Sequence, residues 1–243
     1  MKKAVIFDLD GTLADTIASI AWCGNRALAR FGLPSFSEAE YKRFVGDGAA
    51  MLVRRALLAA GDEALSHFDG VYQAYREIFS RDCMYQVKPY DGIVPLLAEL
   101  KKRGIRIAVL SNKPDADSRR VVEELFGKGF FDHIQGQTEG IPRKPDPAGV
   151  YRILEAFGLR AEDFLYVGDS CVDMRTGKAA GLFTVGVLWG FRDRAELEEN
   201  HADAVIGKPG ELLSLLDLPR ENMPQETEPS GAAALEETGG QET

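Results

Sequence analysis

From residue 93 onward, short apolar runs alternate with amphipathic stretches, and this rhythm constrains the fold more than any other feature of the chain. The runs at 105–110, 164–167, 183–188 and 204–206 are short, apolar and partly β-branched, and read as strands, with a weaker one at 133–135, His-Ile-Gln. Before, between and after them, 93–103, 116–126, 148–157, 175–180 and 211–216 read as helices, several closed by a glycine such as Gly104, Gly158 or Gly181. One further strand stands near the N-terminus, in Val5-Ile6-Phe7-Asp8-Leu9-Asp10. Strands alternating with helices predict an α/β fold, a Rossmann-like three-layer core whose parallel sheet is covered on both faces. In such sheets ligands sit beyond the carboxyl ends of the strands, at the switch point.

The stretch 15–85 breaks the rhythm. It reads as helices over 15–30, 37–44 and 49–60 and one or two more over 63–81, with no strand-like alternation between them. Ser37-Glu38-Ala39-Glu40 is a capping-box pattern at one helix start. The expected organisation is a catalytic core from 1–14 and 86–218, a helical cap inserted at 15–85, and a tail at 219–243. That tail is rich in Glu, Pro, Thr and Gly, with little to bury, and is expected to be disordered.

The formal net charge is −9, of which the tail carries −5, so the rest is only mildly acidic. There is no basic run or basic stripe with interleaved aromatics, which argues against a nucleic-acid surface. No apolar run is long enough for a membrane span, and the N-terminus lacks the apolar stretch of a signal peptide. Cys23, Cys83 and Cys171 are odd in number and far apart, which suits a reducing, cytoplasmic setting. The expected assembly is a monomer or homodimer.

The polar residues gather at strand ends. The first strand delivers Asp8 and Asp10, which leave on one side because side chains alternate along a strand. Two close like charges repel, and a hard divalent cation such as Mg²⁺ relieves them. The next strand delivers Ser111, Asn112 and Lys113, the helix start at 148 is preceded by Lys144, and a later strand delivers Asp169 with Asp173 just beyond. These groups supply the parts for hydrolysing a phosphate monoester. A carboxylate nucleophile splits the reaction in two, and Mg²⁺ with a lysine offsets phosphoryl charge. Backbone N–H groups at the Gly11-Thr12 turn and a hydroxyl hold the oxygens, and a second acid moves the proton.

Asp8-Leu9-Asp10-Gly11-Thr12, Ser111-Asn112, Lys144 and Gly168-Asp169-Ser170 with Asp173 resemble, in order and strand context, the four motifs of the haloacid-dehalogenase-like hydrolases. The helices after the first motif resemble the cap of one branch of that family. The resemblance implies that Asp8 is the nucleophile and a metal ligand. It implies that Asp10 is the general acid/base, with its backbone carbonyl on the metal. Ser111 would bind phosphate with help from Asn112, and Lys144 would bridge phosphate and Asp8. Asp169 would be a direct ligand of Mg²⁺, and Asp173 a ligand through water or a group orienting the others. Lys113 is open between a phosphate contact and a surface lysine.

Within the cap, Gly46-Asp47-Gly48 leads into a helix carrying Arg55. Two glycines before a helix start suit an approach to an anion, and Arg55 would supply a fork for a carboxylate. This run, Lys88-Pro89-Tyr90-Asp91-Gly92 and Val109–Pro114 resemble the phosphoglycolate phosphatases of the family. The expected activity is therefore Mg²⁺-dependent hydrolysis of a small phosphorylated metabolite, 2-phosphoglycolate foremost, through an aspartyl-phosphate. A pyrophosphatase, a nucleotidase or a sugar-phosphate phosphatase would use the same core. A silent phospho-metabolite binder or a receiver-like protein is the non-enzymatic alternative.

Overall fold

A computed structural model describes residues 1–217. The chain runs β1 (Ala4–Phe7), β2 (Ala14–Asp15), α1 (Ile17–Ala29), α2 (Glu38–Phe44), α3 (Ala49–Ala59), α4 (Phe68–Asp82), β3 (Lys88–Pro89), α5 (Ile93–Lys102), β4 (Arg106–Pro114) and α6 (Asp115–Phe126). It continues through β5 (His133–Gln137), α7 (Ala148–Phe157), β6 (Phe164–Gly168), α8 (Cys171–Ala179), β7 (Phe183–Val187), α9 (Arg194–Glu199), β8 (Ala204–Ile206) and α10 (Leu212–Leu215). The tail expected over 219–243 lies outside the described residues.

The main sheet has six strands in the order β5-β4-β1-β6-β7-β8, all parallel. The chain leaves β1 toward β4 and β5, then returns to the other side of β1 for β6, β7 and β8. The order therefore reverses at β1, and the switch point lies at its carboxyl end, where Asp8 and Asp10 emerge. β1 explains itself by alternation. Val5 and Phe7 enter one apolar cluster and Ala4 and Ile6 the other, one on each face of the sheet. A strand buried on both faces must be apolar throughout, and β1 is fully buried.

Helices α1 to α4 fall between two short strands that the sequence pattern did not announce. β2 and β3 pair antiparallel, with Ala14 opposite Pro89 and Asp15 opposite Lys88, so the chain enters and leaves the helical insertion through one paired neck. Inside it, Asn25 clamps the loop after α1, donating to Phe36 O and accepting from Phe36 N at 2.8 Å each. Gly24 sits where the Tyr41 ring crosses α1, and a Cβ there would lie 2.2 Å from the Tyr41 hydroxyl. α2 opens with the expected capping box: Glu40 N donates to Ser37 Oγ, and Ser37 N donates to Glu40 Oε2.

Three elements differ from expectation. α8 starts at Cys171 rather than 175, because the Asp173 carboxylate accepts from the Ser170 N–H and hydroxyl and closes the first turn. β4 runs on past Leu110 to Pro114, so Ser111, Asn112 and Lys113 stand on the strand. α9 was missed; its charged surface hides a single buried apolar residue, Leu197. Among the described residues no helix is long and apolar enough to cross a membrane.

Candidate active site

Four side chains separated by some 165 positions meet beyond the carboxyl ends of β1, β4 and β6. Lys144 Nζ lies 2.8 Å from Asp8 Oδ1 and 2.7 Å from Asp173 Oδ1, and donates to Leu110 O at 3.2 Å. Asp8, Asp169 and Asp173 each offer an oxygen within 4.8 Å of the others, and all three are buried. Asp8 Oδ1 also accepts the Leu9 N–H at 2.7 Å. Its Oδ2 has no hydrogen bond among the described residues, and Asp8 lines a cavity of about 580 Å³. Asp10, Ser111, Lys113, Lys144 and Asp169 line the same cavity.

Burial pushes the Asp8 carboxyl up to about 7; Asp173 adds to the rise and Lys144 opposes it. Asp169 is raised well above the carboxylate range by burial, then by Asp173 and Asp8. Burial alone would lower Lys144, but Asp173 and Asp8 outweigh it and hold its proton firmly. Four carboxylates, Asp8, Asp10, Asp169 and Asp173, gather here around two ammonium groups, with Lys144 paired to Asp8 and Asp173 and Lys113 paired to Asp10. The deficit of two positive charges, in a set made only of oxygen donors, fits a hard divalent cation such as Mg²⁺. Asp173 has both oxygens engaged, with Lys144 and with Ser170. Of its two expected roles, orienting its neighbours is the one this geometry favours.

Four expected contacts differ. The Gly11 N–H bonds to Ala14 O at 3.0 Å and the Thr12 N–H to Leu9 O at 3.4 Å, and neither residue lines the cavity. They close the turn instead of reaching a phosphoryl oxygen. Gly11 serves in another way: its φ is +87°, and a Cβ would stand 2.3 Å from Asp169 Oδ2. Thr12 Oγ1 is 3.5 Å from Asp169 Oδ1. The Asn112 side chain is also taken up. Its Oδ1 accepts from the Lys144 N–H at 2.9 Å, and its Nδ2 donates to Lys144 O and Gly46 O. It holds the lysine loop, and Asn112 also lines the cavity. Arg55 donates to Phe44 O and pairs with Asp47, and neither Arg55 nor Asp47 lines the cavity. The expected carboxylate fork is closed on its own loop. Gly46 and Gly48 do line the cavity.

Ser111 keeps its place. Its Oγ accepts the Lys113 N–H at 3.2 Å, and the hydroxyl proton has no acceptor among the described residues. Lys113, left open by the sequence, is buried and ion-paired with Asp10. Two contributors went unread, both just past the end of β7. The Phe191 N–H donates to Asp169 Oδ2 at 2.7 Å. Arg192 bonds to Lys42 O and Val45 O of the insertion and to Glu196. The available signal was that β7, too, ends at this edge of the sheet.

A parallel sheet with its switch point at β1, an acidic edge and an inserted helical layer defines a class. The sequence model of that class, described as haloacid dehalogenase-like hydrolase, matches residues 5–187. The chain belongs to this hydrolase family. Among its relatives, a phosphoglycolate phosphatase of Rhodospirillum rubrum is 39% identical over 197 residues, 79% of this chain and 81% of that protein. Another phosphoglycolate phosphatase, of Yersinia pestis, is 34% identical over 221 residues, 89% of this chain and 94% of its own. Among solved structures, a chain of Lactobacillus delbrueckii subsp. bulgaricus, provisionally named a phosphoglycolate phosphatase, superposes with TM-score 0.83 at 30% identity. It covers 89% of this chain and 99% of its own.

Proposed function

We propose that the chain is a Mg²⁺-dependent phosphomonoesterase acting on small phosphorylated acids, with 2-phosphoglycolate first among them. The observation that carries this reading is Lys144 held between Asp8 and Asp173 beside Asp169, on the wall of the cavity. The names of the relatives support the choice of acid.

Asp8 Oδ2 attacks phosphorus while the ester oxygen leaves, giving an aspartyl-phosphate. The leaving oxygen takes its proton from Asp10. A water then attacks phosphorus, gives a proton to Asp10 and frees Asp8 and inorganic phosphate. Lys113 holds the Asp10 carboxylate in place for both transfers. The Ser111 hydroxyl donates to a phosphoryl oxygen, and Lys144 bridges that group and Asp8. Asp8, Asp169 and the Asp10 carbonyl, with Asp173 behind them, would hold Mg²⁺, which would supply positive charge to offset that of the phosphoryl group. Residues 15–85 act as a cap that closes over substrate and sheds water.

Asp8→Asn keeps the shape of the side chain and removes its nucleophilic charge. It is expected to lower Mg²⁺-dependent phosphate release by about 1,000-fold or more; retained turnover overturns the reading. A sugar phosphate is the second reading. The cavity of about 580 Å³ favours it, because a two-carbon ester fills only part of that volume. Ranking kcat/KM over a panel of phosphorylated metabolites separates the two.

A further inference from the structure

α4 is one wall of the cavity. Tyr72, Gln73, Arg76, Phe79 and Ser80 line it, and their spacing puts them on one helix face. That face is seated close to the reacting groups. Lys113 Nζ lies 5.1 Å from the centre of the Phe79 ring, and the same ammonium holds Asp10. Arg76 stands one turn before Phe79, roughly 5 Å along the helix.

Among the described residues, four cations line the cavity, and three are committed. Lys144 is held by Asp8 and Asp173, Lys113 by Asp10, and Arg192 by two carbonyls and Glu196. The Arg76 side chain has no hydrogen bond or ion pair among the described residues. Its guanidinium carbon stands 5.8 Å from the centre of the Tyr72 ring, within cation–π reach. The acids near it are accounted for. Glu77 lines the cavity too, but is taken by Arg30 at 2.9 Å and Arg81 at 3.6 Å. Asp117 faces the cavity from α6, half-buried and out of ion-pair reach of Arg76. Its charge repels a substrate carboxylate from that side of the cavity.

We propose that Arg76 is the specificity-determining residue that binds the carboxylate of a phosphorylated acid whose phosphoryl group lies at Asp8. A guanidinium matches a carboxylate with two parallel N–H···O bonds, which neutral esters cannot use. This assignment rests on the phosphatase reading above and replaces the fork expected from Arg55.

The test compares matched pairs with and without the carboxylate: 2-phosphoglycolate with ethyl phosphate, and 3-phosphoglycerate with glycerol 3-phosphate. Steady-state kcat/KM is measured with Mg²⁺ for the native protein, Arg76→Gln and Arg76→Lys. The native protein is expected to favour the acid of each pair. In Arg76→Gln that preference should fall by about 10- to 100-fold, mainly through KM. Arg76→Lys keeps the charge without the fork and should fall in between. Arg76 is exposed on a helix surface and both replacements are good helix formers, so the variants should fold, which circular dichroism checks. A preference that Arg76→Gln leaves unmoved overturns the assignment. So does a native protein that favours neither member of a pair; Mg²⁺-dependent turnover of para-nitrophenyl phosphate then leaves the phosphatase reading standing. No turnover of any ester overturns both.

Discussion

At the scale of single residues, Asp8 ties proton binding, metal binding and stability together. In the metal-free fold its carboxyl is pushed from 3.8 up to about 7, chiefly by burial. The folded chain then holds a proton that the unfolded chain has released, over the window from about pH 4 to about pH 7. Stability from this group is full below that window and is lost as pH rises through it. Mg²⁺ competes with the proton, so it should stabilise the protein more above the window than inside it. Thermal unfolding with and without Mg²⁺, at about pH 5 and about pH 8, checks this. The Mg²⁺-induced rise in Tm should be larger at the higher pH, and equal rises would remove the coupling. Gly11 belongs to the same scale, because any Cβ at its left-handed φ would strike the Asp169 carboxylate.

At the scale of elements, the helical insertion is held by close approaches rather than by helix propensity. A mid-helix glycine costs about 1 kcal/mol relative to alanine. Gly24 is nevertheless the residue the packing demands, because the buried Tyr41 ring lies against it and the Tyr41 hydroxyl reaches Asn25 Oδ1 at 3.3 Å. Gly24→Ala should therefore destabilise the protein, despite the gain in propensity, by about 1–3 kcal/mol for an overpacked site. Urea unfolding measures it, and a variant as stable as the native protein would show that Tyr41 moves aside freely. The same scale explains where sequence reading worked on helices. α2 starts at its capping box, and α7 ends at Gly158, a left-handed cap. α8 begins a turn early because its cap acid, Asp173, is also part of the charged cluster.

At the scale of the whole molecule, side chains of the core reach across to the insertion; Arg120 of α6 donates to Ser80 O and Arg81 O, and two more reach from the sheet's edge. Asn112 joins the end of β4 to Gly46 O and to the Lys144 backbone. Arg192 joins the loop after β7 to Lys42 O and Val45 O, one residue from the N–H that holds Asp169. A charged donor contributes about 1.5–3 kcal/mol to such a bond. Arg192→Ala should loosen the insertion over the cavity, raising KM several-fold with a smaller change in kcat. Steady-state kinetics on 2-phosphoglycolate reads this, and an unchanged KM would mean that the insertion keeps its seat without Arg192.

The α/β class, the helical insertion and the gathering of Asp8, Asp10, Ser111, Lys144 and Asp169 at one edge of the sheet were legible before any coordinates, partly from the resemblance of their motifs and partly for a local reason. Each lies in a short run whose apolar period, cap or turn residue marks a strand end or a helix start, and a parallel sheet brings its strand ends to one edge. Which donor meets which acceptor was decided only in three dimensions. The Gly11 and Thr12 amides turned inward, Asn112 turned to the lysine loop, Arg55 closed on Asp47, and Arg76 was left open to the cavity. Hydrogen bonds of this kind join residues far apart in the chain, so their pairing follows from packing between elements, of which a linear pattern carries no trace.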